Sequence, residues 1–167
     1  DALMKMLVYT IAQEEKTLMD NDIRLTAIGD IRELAEETRN ALCQMIEKTK
    51  DNKRMTLVLA LNYSARWEII EMTRKIAEQA KQGEIETSAI DENLVSDNLS
   101  TKGIPDVDLL IRTSGEERLS NFLLWQLAYA EFYFADVHWP DFSKEELTKA
   151  IESFNSRKRR FGKVDEE

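Results

Sequence analysis

Apolar positions recur at helical spacing from the first residues of the chain. Leu3, Leu7, Ile11 and Leu18 share one face, which predicts an amphipathic helix over residues 3–20. Asn21 and Asp22 break it, and residues 23–28 then alternate apolar and polar, the period of a strand, up to Gly29. Asp30 with Glu33 three residues on has the form of a capping box and predicts a helix to about residue 48. Residues 55–61 are almost continuously apolar, which predicts a strand buried on both faces. A helix is predicted over residues 66–81, ahead of Gly83, and a shorter one over 92–99. Gly103 and Pro105 punctuate the next turn, and residues 107–112 form a third predicted strand. Phe122, Leu123, Trp125, Leu127 and Ala128 predict a helix over 121–131, followed by a short strand over 132–137. Ser143 and Glu146 form a second capping box. It opens a final helix through Leu147, Ile151 and Phe154 toward Arg160.

Strands alternating with helices predict a single α/β domain over residues 1–167, a mostly parallel sheet wrapped by helices. Ligands of such sheets bind outside the carboxyl ends of the strands. That rule gathers Gly29-Asp30, Asn62-Tyr63-Ser64 and the segment 112–115 at one edge, as candidates.

Composition narrows the partners. The net charge of −9 argues against nucleic acid as the main partner. No apolar run approaches a membrane span. The single cysteine, Cys43, excludes an internal disulfide and fits a reducing cytosol. One histidine and one cysteine exclude a structural zinc site of the usual ligand set within one chain. Arg157-Lys-Arg-Arg160 concentrates positive charge near an acidic end, and on local grounds reads as a solvated face. The chain opens at Asp1 without an initiating methionine on a helix apolar from its first turn, so further chain is expected upstream.

The segment Arg112-Thr-Ser-Gly-Glu-Glu-Arg-Leu-Ser120 carries the clearest chemistry. It links a predicted strand to a predicted helix start, where free backbone N–H groups favour anions. Arg112 and Arg118 add planar forks of donors that match phosphate oxygens. The competing reading is a surface loop in which Glu116 and Glu117 neutralise the two arginines.

The block that runs from Ile111 through this segment to Asn-Phe-Leu-Leu-Trp-Gln-Leu-Ala-Tyr-Ala-Glu-Phe-Tyr-Phe134, with Trp139-Pro-Asp-Phe142, resembles the C-terminal signature of the cis-prenyltransferases. Ile23-Arg-Leu-Thr-Ala-Ile-Gly-Asp30, Leu61-Asn-Tyr-Ser-Ala-Arg66 and Arg159-Arg-Phe-Gly162 resemble further family blocks in the same order. The resemblance implies a Mg2+-dependent transferase that condenses isopentenyl diphosphate onto an allylic diphosphate, farnesyl diphosphate, with cis geometry. The product implied is a long polyprenyl diphosphate, undecaprenyl diphosphate in bacteria, the lipid-carrier precursor for cell-wall synthesis. It also implies a cytoplasmic homodimer, peripheral at the inner face of the plasma membrane through its product.

By resemblance Arg112, Arg118 and Ser120, with Asn121 beside them, hold the diphosphate of isopentenyl diphosphate. Glu131 is the carboxylate near the metal and Glu116 a carboxylate beside the same site. Arg160 and Gly162 match an Arg-x-Gly that reaches into the partner subunit's site. Leu3, Met6, Leu7, Ile23 and Met55 match positions lining a hydrocarbon tunnel, Met55 toward its closed end, although their spacing alone suits ordinary core. Two departures stand out. Ser64-Ala65 replaces the family's Gly-Gly and receives no role. The family's metal-binding aspartate loop has no counterpart, so no catalytic residue is assigned and the polypeptide by itself is expected to be inactive. The resemblance therefore implies the C-terminal portion of the enzyme. The alternative is a non-catalytic partner subunit of a heteromeric cis-prenyltransferase.

Overall fold

The computed structural model describes residues 2–158. The chain divides into two compact units, Asp1–Lys102 and Gly103–Glu167. The first carries helices α1 (Ala2–Gln13) and α2 (Glu15–Asp20), strand β1 (Ile23–Ile28), helix α3 (Glu36–Thr49), strand β2 (Met55–Ala60), and helices α4 (Ala65–Lys81) and α5 (Glu92–Asn98). The second carries β3 (Leu109–Arg112), β4 (Glu131–Phe134) and α6 (Lys144–Asn155). The parallel α/β character expected from the sequence is present: β1 pairs with β2 and β3 with β4, both in parallel. Among the described residues the strands form two separate pairs.

In the first unit Ile11, Leu18, Leu25, Leu42 and Met45 form the core, with Leu7, Ile23 and Leu59 packed against it. The apolar stripe of α1 and the inward residues of β1 thus meet, as their periods require. The outer edge of β1 is satisfied by side chains. Buried Thr49 accepts from the Leu25 amide at 2.9 Å, and Asn52 donates to the Ile23 carbonyl at 2.8 Å. Asp22, in the left-handed region at φ 55°, accepts from the amides of Lys53 and Arg54 at 3.0 and 2.9 Å. Those bonds fix where β2 starts, so Ile23 registers with Met55 and Ile28 with Ala60.

Four expectations are corrected. The helix predicted from Asp30 begins instead at Glu36, after a 3-10 turn over Ile31–Glu33. Asp30 does not cap it, because Arg32 occupies its carboxylate with two bonds of 2.7 and 2.9 Å, and charge-assisted bidentate bonds outcompete a single amide. The strand predicted as buried on both faces is half open: Met55, Thr56 and Leu57 are exposed because α2 and α3 pack on β1. The helix predicted over 3–20 is broken at Glu14 into α1 and α2.

The largest departure is at residues 121–131, where no helix forms. Ser120, Asn121 and Leu123 lie in the left-handed region, at φ 52°, 63° and 46°. The segment runs beside β3 instead: Val107 donates to the Gln126 carbonyl at 3.1 Å and Glu131 to that of Asp108 at 2.9 Å. Burial of Gln126 and Leu127 anchors that path. Helix propensity is a weak preference that such tertiary interactions override. Glu131, read as the last residue of a helix, is the first of β4.

Candidate functional site

In the first unit the carboxyl ends of β1 and β2 are drawn together by Gly29. Its φ is +105°, and a Cβ there would lie 2.1 Å from the Leu61 carbonyl oxygen, so only glycine fits. Asp30 and Asn62 then exchange bonds: the Asp30 amide donates to the Asn62 carbonyl and the Asn62 side chain to the Asp30 carbonyl, each at 3.2 Å. Asp30, Glu33, Asn62, Tyr63, Ser64 and Trp67 line a cavity of about 550 Å3 there. Of these, Asp30, Asn62, Tyr63 and Ser64 are ones that the rule for parallel strand ends picks out, while Glu33 and Trp67 are not. Arg32 holds the Asp30 carboxyl below the usual carboxylate range, mainly through their hydrogen bond. Ser64, to which the sequence gives no role, caps α4 by accepting from the Trp67 amide at 3.3 Å, and the following Ala65 is buried.

A further polar residue has no distinguishing mark in the sequence. Glu68 on α4 is only 3% exposed. Its carboxylate accepts from the Tyr63 hydroxyl at 2.6 Å, from the Ser100 amide at 2.9 Å and from the Ser100 hydroxyl. Helical periodicity does not single it out, since a charged residue one turn inside an amphipathic helix reads as solvent-facing.

The expected anion site lies in the second unit. Arg112 ends β3 half-buried, and its carbonyl accepts from the Ala135 amide at 2.8 Å. The chain then turns through Ser114 at φ 68° and Gly115 at φ 63°. Their amides donate to the carbonyls of Val137 and Ala135 at 2.8 and 3.0 Å. His138 Nδ1 lies 3.3 Å from the Ser114 hydroxyl. The loop start is thus tied to the segment after β4, and the bend is stored in a non-glycine left-handed residue. Arg118 forms an ion pair with Glu116, its side chain 64% exposed. Exposed pairs of this kind are worth about 0–1 kcal/mol, so a multiply charged anion can take the guanidinium from Glu116 at small cost. The expected helix N-terminus is absent here, so guanidinium and hydroxyl groups carry the case for an anion. Ser120 and Asn121 follow on the exposed turn, and Glu131 opens β4.

Glu131 is paired with Arg157, Nη1 to Oε2 at 2.8 Å. A magnesium ion takes oxygen ligands, commonly one or two carboxylates shared with substrate phosphates. Among the described residues no three His, Cys, Asp or Glu side chains converge on one point. This donor set fits a cation completed by phosphate oxygens. Arg160 and Gly162 lie outside the described residues.

The tunnel candidates divide. Leu7 and Ile23 pack against the core of the first unit. Leu3, Met6 and Met55 are 71%, 66% and 51% exposed, an unusual amount for apolar side chains on elements that also build that core. Residues in parallel register share a face, so Met55 lies on the side of Ile23 that α1 to α3 cover.

Comparison with known proteins agrees in direction. The sequence profile of the family described as "Putative undecaprenyl diphosphate synthase" matches residues 1–162. An isoprenyl transferase of Porphyromonas gingivalis is 51% identical over 166 residues, 99% of this chain and 65% of that protein. A ditrans,polycis-undecaprenyl-diphosphate synthase, (2E,6E)-farnesyl-diphosphate specific, of Pasteurella multocida is 43% identical over 99% of this chain and 69% of its own length. The crystal structure of lavandulyl diphosphate synthase from Lavandula x intermedia, in complex with dimethylallyl diphosphate, superposes with a TM-score of 0.93 at 38% identity. It covers 96% of this chain and 70% of that one. The chain spans 65%, 63% and 65% of the length of the first three curated relatives.

Proposed function

Because the chain belongs to the undecaprenyl diphosphate synthase family, we propose that it is the isopentenyl-diphosphate-binding and tunnel-lining portion of a cis-prenyltransferase. The observation that carries this reading is the loop from Arg112 to Ser120. It sets two guanidiniums, two carboxylates and hydroxyls on the connection from β3 to the parallel strand β4. Arg112, Arg118 and Ser120 hold the diphosphate of isopentenyl diphosphate, with Asn121 beside them and Glu116 as the carboxylate that Arg118 leaves when the anion arrives. Glu131 would give one oxygen ligand to Mg2+, and the chemistry the ion would supply when bound is neutralisation of the charge on an allylic diphosphate as it leaves. The guanidiniums act on the other diphosphate, which isopentenyl diphosphate keeps through the reaction, and so orient the nucleophile.

The acceptor is farnesyl diphosphate, and its hydrocarbon tail lies along Leu3, Met6, Leu7, Ile23 and Met55. The exposure of three of these residues beside a packed core supports that placement. The enzyme works as a cytoplasmic homodimer in which Arg160 and Gly162 complete the partner's site, and its product draws it to the inner face of the membrane. No helix among the described residues is long and apolar enough to cross a membrane.

The test is incorporation of labelled isopentenyl diphosphate into a polyprenyl product by the intact protein with farnesyl diphosphate and Mg2+. Product formation that collapses in Arg112→Ala supports the reading. An intact homomeric protein that makes no product overturns it in favour of a non-catalytic partner subunit.

A further inference from the structure

Arg157 is held between two elements of the second unit. Its Nη1 donates to Glu131 at the start of β4 at 2.8 Å, and its Nη2 to the Ser153 hydroxyl on the last turns of α6 at 3.3 Å. Both partners of the ion pair are partly exposed, their side chains at 36% and 28%. A guanidinium keeps its proton at any physiological pH, so it neutralises Glu131 permanently while in place. The guanidinium sits on one oxygen of the carboxylate, so a divalent cation on Glu131 would bring a second positive charge within a few ångströms of it, and the two would repel.

We propose that Arg157 is the resident counter-cation of Glu131, displaced when a divalent cation binds, so that metal entry and release of the guanidinium are one exchange. This rests on the reading above that Glu131 receives the metal. Before a cation arrives, the pair spares Glu131 an unneutralised charge, whose repulsion would oppose an arriving diphosphate. Once displaced, the guanidinium is a planar donor fork beside a metal that carries phosphate oxygens. Breaking the pair weakens binding of the cation alone. A diphosphate that accepts the freed guanidinium offsets that loss, so cation and diphosphate strengthen each other's binding reciprocally.

The exchange is tested by binding, without turnover. Mn2+ is titrated into the intact protein and the free ion is counted by its paramagnetic resonance, with and without inorganic diphosphate. Arg157→Gln should tighten Mn2+ about two- to fivefold, the fold-change of a partly exposed ion pair. Arg157→Lys, which keeps the charge without the fork, should fall between the two. Lys158→Gln, which removes the same charge one residue away, should leave the affinity within error. On a Glu131→Gln background Arg157→Gln should have no further effect. Added diphosphate should tighten Mn2+ more in the wild type than in Arg157→Gln. An unchanged Mn2+ affinity in Glu131→Gln would remove Glu131 from the metal site and overturn the parent reading with the exchange. Weakened binding in Glu131→Gln together with unchanged or weaker binding in Arg157→Gln would overturn the exchange alone.

Discussion

The Tyr63 hydroxyl donates to the buried Glu68 carboxylate at 2.6 Å, and the same carboxylate receives the Ser100 amide at 2.9 Å. One side chain therefore ties the loop after β2, helix α4 and the turn after α5. Glu68→Ala should cost about 2–4 kcal/mol, because it strands several buried donors at once. Glu68→Gln should cost about 1 kcal/mol, since an amide oxygen still accepts from Ser100 and the Tyr63 hydroxyl can turn to accept from the amide nitrogen. Denaturant midpoints of the two variants decide this. Equal, small losses would mean that solvent replaces the network without penalty.

Among the described residues Arg118 pairs with the neighbouring Glu116 on an exposed loop, so its removal should hardly affect folding. Arg118→Ala should instead raise the KM for isopentenyl diphosphate and reduce kcat/KM ten- to over a hundredfold, equivalent to about 1.5–3 kcal/mol for a charge-assisted contact. The bare Glu116 left behind adds repulsion in the same direction. Steady-state kinetics alongside a melting curve separate the cases, and an unchanged kcat/KM would return Arg118 to a surface ion pair.

The Asp30 carboxyl is depressed by its bond to Arg32. A group with a lowered folded pKa contributes stability above its unfolded value and loses it as pH falls through the folded one. Asp30→Asn should therefore be less stable than the wild type near neutrality. The difference should shrink only in acid, below the ordinary aspartate range. Thermal midpoints from pH 7 down to pH 2 test the sign. A gap that widens on acidification would contradict it.

Elements with one dominant local signal were legible in the sequence. Strand β1 was legible at its observed bounds, because apolar and polar residues alternate from Ile23 to Ala27 at the period of a strand. The cap of α6 was legible because Ser143 faces no stronger competitor; it accepts from the Glu146 amide. The same motif failed at Asp30, where Arg32 lay two residues away and a sequence pattern does not rank rival donors. The segment 121–131 failed for a different reason. Its apolar spacing is helical, yet long-range backbone bonds to Val107 and Asp108 decide its path, and no local window contains them. The site followed the same division. Arg112 and Arg118 were visible as residue types beside a strand. The ion pair that occupies Glu131 joins residues 26 apart and needed the fold to be seen.

Met55 opens β2 opposite Ile23, on the face that the helices of the first unit cover, yet it is 51% exposed. A core methionine truncated to alanine would cost about 2–5 kcal/mol. At this exposure Met55→Ala should cost under about 1 kcal/mol. If the side chain closes the far end of a hydrocarbon tunnel, truncation removes an apolar stop and leaves room for more chain. Each further buried methylene is worth about 0.8 kcal/mol, so even a small added length favours longer products. Methionine suits such a stop, being long and pliable enough to yield at the end of the channel. The intact Met55→Ala enzyme should therefore keep its melting temperature within a few degrees while its product ladder shifts upward. Thin-layer chromatography of the dephosphorylated products reads the ladder directly. An unaltered ladder from a variant of normal stability would place Met55 outside the tunnel, as a surface residue where β2 begins.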